Sequence, residues 1–108
     1  LTRTGTDLGA AKSGPDYIDA AFLTAACGSA AVNLDSHAMP IDQIRQLASG
    51  KPRDLLLVEG VMGLFDGTDG GSGSTASVAA ALGVPFMLVI DCRHPLISPP
   101  EKVSQLEY

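Results

Sequence analysis

Asp54–Gly67, DLLLVEGVMGLFDG, is the stretch whose reading decides the fold. Four apolar residues, Leu55 to Val58, run into a carboxylate, Glu59, and a glycine-punctuated loop beyond it carries a second one, Asp66. A continuous apolar run of this kind predicts a buried strand, Asp54–Glu59, of a parallel sheet with helices on both faces. An acid at the carboxyl end of such a strand stands at the crevice where open α/β sheets bind ligands.

Working outward, the loop from Gly60 to Gly73 holds six glycines in fourteen residues, which implies positive-φ turns or a backbone that must come close to a ligand. Ser74 or Thr75 can cap a helix running through the alanine-rich stretch to Leu82 and stopped by Gly83. Pro85 then opens a second apolar run, PFMLVID, expected to be another strand ending in Asp91. On the amino-terminal side, Pro40 suits the start of a helix with Ile41, Ile44 and Leu47 on one face, closed by Gly50 and Pro52.

Further back, LGAAKS (residues 8–13) reads as a short strand with Lys12 at its carboxyl end, followed by the turn Gly14-Pro15-Asp16. Asp19 is expected to cap a helix from Ala20 to Cys27, with Gly28 ending it. Residues 29–39 show no regular period and read as irregular. The predicted order β-α-α-β-loop-α-β gives a parallel α/β sheet with right-handed crossovers.

The bulk numbers exclude several classes. With 108 residues the chain is one domain at most. Aromatics make up 5% and Trp is absent, so the core must be aliphatic. A net charge of −5, with no basic run, argues against a nucleic-acid partner and against a membrane surface. No apolar stretch approaches the ~18 residues of a membrane span, so a cytoplasmic protein is expected. Cys27 and Cys92 read as free thiols, and neither His37 nor His94 has partners at metal or triad spacing. After Asp91, CRHPLISPPEKVSQLEY is proline-rich, and residues 92–108 are expected to form a divergent tail.

Asp16, Asp19, Glu59 and Asp66 all fall where the carboxyl ends of parallel strands gather. Two like charges about 4 Å apart repel by ~4 kcal/mol at an effective dielectric of 20. A converging set therefore calls for a cation or for strongly raised pKa values, and magnesium shared with nucleotide phosphates is the economical answer, needing only one or two carboxylates from the protein. Lys12 would add positive charge at the same edge. The segment GTDGGSGST looks like a phosphate cradle in front of a helix, but it lacks the lysine of a Walker A loop, and a glycine lid or backbone wall accounts for it equally well.

Taken together, KSGPDYIDAAF (residues 12–22), VNLD (32–35), VEGVMGLFDG (58–67) and GST (73–75) resemble the cobyrinate or hydrogenobyrinate a,c-diamide synthases over about residues 5–91. The resemblance implies a partial synthetase domain over residues 1–91, similar in fold to dethiobiotin synthetase and so P-loop-NTPase-like. It also implies an ATP- and magnesium-dependent ligase of cobalamin biosynthesis. A corrin carboxylate would become an acyl phosphate, and ammonia from glutamine would displace phosphate. On this analogy Asp16 and Glu59 hold magnesium, while Asp19 and Asp66 position the metal or the substrate carboxylate. Lys12 and Gly60 bind the nucleotide, and Tyr17, Ile18 and Ser74 face the substrate.

The chain departs from that family in three places. No GxxxxGK[ST] P-loop matches, no glutaminase cysteine has the right context, and the sequence after the VID run is unlike the family's. With the P-loop strand missing, the sheet is expected to expose an apolar edge unless another segment or a second copy, as in a homodimer, fills it. The chain alone is then expected to be inactive. The competing readings are a degenerate non-catalytic relative, cobyric acid synthase, dethiobiotin synthetase, or a partition-type ATPase. The intact Asp16-Tyr17-Ile18-Asp19 run argues against the other ligases.

Overall fold

The computed structural model describes residues 2–90. A short 3-10 turn, Thr2–Thr4, leads into three βα units: β1 (Leu8–Ser13), α1 (Tyr17–Cys27), β2 (Val32–Leu34), α2 (Ile41–Ala48), β3 (Leu55–Glu59) and α3 (Thr75–Leu82). The strands form a parallel sheet in the order β2-β1-β3. Ala11 pairs with Val32 on one side of β1, and Lys12 with Glu59 on the other.

Because paired residues in parallel strands share a face, this register sorts the sheet into two sides. Ala11, Leu34, Leu56 and Val58 pack with Ile44 of α2 and Val78 of α3, which makes one core layer. Lys12 points the other way, toward Asp19 on α1. Helices thus cover both faces, as expected for a parallel sheet. Cover over β3 is incomplete, however. Leu55 and Leu57, on the α1 side, remain 42% and 48% exposed, because α1 packs on β1 and β2 rather than on β3. The expectation of a strand buried on both faces is corrected accordingly.

Three other expectations are revised. The first helix begins at Tyr17, not Ala20, because Asp16 caps it: its Oδ1 accepts from the backbone N–H groups of Ile18 (2.9 Å) and Asp19 (3.2 Å). Val32–Leu34 is a strand inside the region read as irregular. Three residues are too few to show a period, and their pairing to Ala11–Ser13 makes the strand. Residues 84–90 form no strand. Their apolar character supplies propensity alone, and Phe86, Leu88 and Val89 stay exposed. Asp91 as a strand end, Cys92, His94 and the proline-rich tail lie outside the described residues.

The other elements match their sequence signals. Gly28 and Gly83 end α1 and α3 in the left-handed conformation, with φ of 73° and 67°. Ser74 caps α3, its buried Oγ accepting from the Ser77 N–H at 3.1 Å. Among the described residues no helix is long and apolar enough to cross a membrane.

Candidate active site at the carboxyl edge of the sheet

Parallel pairing fixes where the acids stand. Lys12, next to last in β1, is opposite Glu59, the last residue of β3, so both mark the same edge of the sheet. Gly14 turns the chain out of β1 with φ of 85°, a value that favours glycine. Asn33 of β2 pins this turn, its amide donating to the carbonyls of Gly14 and Asp16, each at 2.9 Å. Asp16 is thereby fixed at the head of α1, and Asp19 lies one turn further on.

Lys12 is the hub. Its ammonium is buried, donates to the Gly60 carbonyl at 3.1 Å, and pairs with Asp19 Oδ2 at 2.7 Å and Glu59 Oε1 at 3.7 Å. The Asp19 contact is a charge-assisted hydrogen bond. The Glu59 contact is longer than a hydrogen bond and leaves that carboxylate, about half exposed, room to turn toward a ligand. One lysine therefore ties α1, the end of β3 and the start of the glycine loop together. Asp16 titrates below its ordinary value, chiefly because the Asp19 backbone N–H stabilises its anion. Desolvation opposes this, and the Ile18 N–H, the Lys12 charge and a side-chain hydrogen bond with Asp19 outweigh it together with the Asp19 N–H.

Gly60 leaves β3 tightly against α3. A Cβ there would sit 2.8 Å from both Oγ1 and Cγ2 of Thr75, whose hydroxyl also accepts from the Val61 N–H at 3.1 Å. The loop beyond is compact rather than open. Thr68 N–H donates to the Ser72 carbonyl at 2.9 Å, and Asp66 Oδ2 accepts from the Gly63 N–H at 2.9 Å. The first amides of α3 are engaged as well: Ala76 N–H donates to Leu64 O, and Ser77 N–H to Ser74 Oγ. The glycine loop therefore forms a backbone wall. Those two amides are not available to a phosphate.

Between this wall and the β1–α1 turn lies an open cleft of about 670 Å³, lined by Ser13, Gly14, Pro15, Asp16, Val61, Met62, Asp66, Gly67 and Gly73. The geometry brings Asp16 and Asp66 to one cleft, and Asp19 and Glu59 to one lysine. Tyr17 and Ile18 project from the first turn of α1, 79% and 55% exposed. Ser74 is different: its hydroxyl caps α3 and donates to Gly71 O at 2.9 Å.

Sequence reasoning gave no site role to Asn33 or Met62, and it offered Thr75 only as an alternative helix cap, not as the partner of the Val61 N–H. A polar residue between Val32 and Leu34 in a buried setting was the available signal for Asn33. Among the described residues no three acidic, histidine or cysteine groups converge on a metal position.

This arrangement has relatives. The chain is 48% identical, over 96 residues, to the hydrogenobyrinate a,c-diamide synthase of Mesorhizobium japonicum, a match covering 84% of this chain and 22% of that protein. The enzymes of the same name from Rhizobium meliloti and Rhodobacter capsulatus are 45% and 44% identical over 85% and 86% of the chain, again 22% of each protein. The chain is homologous to a segment of the hydrogenobyrinate a,c-diamide synthases. It spans 22% of the length of these curated relatives. The resemblance read from GPDYID and VEGVMGLFDG is borne out. No family model matches the chain, and no solved structure matches it.

Proposed function

We propose that this chain is the acid-bearing part of a synthetase domain whose parent protein amidates peripheral carboxylates of a corrin, the a and c side chains. The observation that carries the reading is the single carboxyl edge on which Lys12, Asp19 and Glu59 are joined by ion pairs, beside the cleft lined by Asp16 and Asp66. Relatives at 44–48% identity that bear the diamide synthase name supply the reaction class.

In this reading a substrate carboxylate attacks the γ-phosphorus of ATP, ADP leaves, and an acyl phosphate forms. Ammonia, delivered from glutamine, then adds to the acyl carbon. Phosphate departs, the nitrogen loses a proton, and the amide remains. Phosphoryl transfer of this kind depends on positioning and charge neutralisation.

The donor set fits magnesium on one condition. Fewer than three acids converge, so the remaining ligands must be phosphate oxygens and water, which is how this ion is commonly held. Glu59 and Asp16 are the residues that would hold it, and the bound ion would neutralise charge on the phosphates. Lys12 places Glu59 and would add positive charge near the transferring phosphoryl group. Asp19 holds Lys12, Asp66 shapes the loop wall, and Gly60 brings the backbone close. Tyr17 and Ile18 meet the corrin.

A nucleotide-binding loop would come from another part of the parent, and the half-exposed Leu55 and Leu57 support a reading in which further chain covers β3. The test is amidation of hydrogenobyrinate by the complete parent polypeptide with ATP, magnesium and glutamine. Phosphate release that depends on the corrin and is lost in Glu59→Gln is expected. Turnover unaffected by that change removes Glu59 from the chemistry.

A further inference from the structure

Met62 is the one residue other than glycine with positive φ among the described residues, at 42°. Side chains of L residues crowd the backbone there, which is why glycine is the usual occupant. The loop uses glycine freely, with Gly60 and Gly63 close by, yet this position carries a long apolar side chain. That side chain contributes nothing to the core: Met62 is 88% exposed. It stands in the lining of the cleft with Val61, Asp16 and Asp66. A strained backbone that displays an exposed apolar group beside a candidate site is a cost to folding that calls for another use.

Resting on the reading above, we propose that Met62 is a substrate-contact residue, its thioether lying against the apolar face of the corrin ring while a carboxylate arm of the ring enters the cleft. A corrin is a broad, largely apolar macrocycle with polar arms. The two acids of the cleft, Asp16 and Asp66, can take a carboxylate arm together with a cation, and the ring then needs apolar surface at the rim. Met62, on the β3–α3 side, and Tyr17 and Ile18, directly after Asp16 on the α1 side, supply apolar groups on either flank. An unbranched, polarisable side chain adapts to a curved ring better than a β-branched one. The role is one of binding and selectivity, not of proton or phosphoryl transfer.

The test uses the complete parent polypeptide, with the dissociation constant of hydrogenobyrinate read from the macrocycle's own visible absorbance, so that binding is measured whether or not turnover occurs. Met62→Gly relieves the backbone, so its urea midpoint should equal or exceed that of the wild type. Its affinity for the macrocycle should fall about tenfold, the order expected when one methionine side chain loses its burial. Nucleotide affinity should be unchanged, and Met62→Leu should restore most of the macrocycle binding. Unaltered macrocycle affinity in Met62→Gly overturns the proposal, as does an equal loss of nucleotide affinity, which would mark a loop-folding defect. A wild type that binds the macrocycle without amidating it defeats the ligase reading and leaves the Met62 comparison decisive. A wild type that does not bind it defeats both.

Discussion

Replacing Lys12 by methionine separates the attractive and desolvation parts of the buried cluster. At 2.7 Å from Asp19 and 3.7 Å from Glu59, the ammonium gains about 6 and 4.5 kcal/mol at an effective dielectric of 20, and about 1.5 and 1.1 kcal/mol in water. The two carboxylates are 41% and 48% exposed, so the true values lie toward the watery limit. Burying the ammonium costs several kcal/mol, a penalty that methionine removes. Against this, the Gly60 carbonyl loses its donor. The balance is a destabilisation of about 1–3 kcal/mol, below the 3–5 typical of breaking a fully buried pair. Urea unfolding of the parent polypeptide measures it. A double-mutant cycle with Asp19→Asn should show a coupling of about 1–2 kcal/mol, and one with Glu59→Gln less than about 1 kcal/mol. A larger coupling to Glu59 than to Asp19, or none to either, refutes the assignment of Lys12 as the tie between α1 and β3.

Further outcomes follow from single contacts. Asp16→Asn keeps an N-cap acceptor but loses the charge, so at neutral pH it should be modestly less stable than wild type and lower in nucleotide-dependent turnover; Asp16→Ala should lose more stability than Asp16→Asn. Since the folded state holds the Asp16 carboxyl below its unfolded value, its contribution is present above that value and fades as pH falls through the depressed one. Acid titration of wild type against Asp16→Asn should show the two stability curves converging at the acid end. Gly60→Ala sets a Cβ 2.8 Å from Thr75 and should cost about 1–3 kcal/mol by thermal or urea melting, part of it recovered with Thr75→Ser. Ser74→Ala removes the α3 cap and should cost about 1 kcal/mol in the same assay.

Much of the architecture was legible because its signals are local. Gly28 and Gly83 end helices through their own backbone freedom, and Ser74 precedes α3 as a residue able to accept from Ser77. Leu55–Val58 reads as a strand from composition alone. What failed depended on partners. Val32–Leu34 is a strand only because β1 offers its edge, and residues 84–90 lack regular structure although they are as apolar as β3. The Asp16 cap was misplaced onto Asp19 because both aspartates suit the role; the turn pinned by Asn33 decides between them. At the site, positions at strand ends placed Lys12 and Glu59 correctly on one edge. No spacing rule could show that Lys12 is buried between two acids, or that Met62 adopts a conformation usually left to glycine.

The central proposal is that Asp16 and Glu59, from separate turns, would serve one divalent cation. Calorimetric titration of magnesium into the parent polypeptide holding a non-hydrolysable ATP analogue tests it most directly, comparing wild type with Glu59→Gln and Asp16→Asn. Each variant should bind the ion at least about tenfold more weakly, since losing even an indirect partner of a metal ligand costs that much. Equal magnesium affinity in all three proteins would contradict the account.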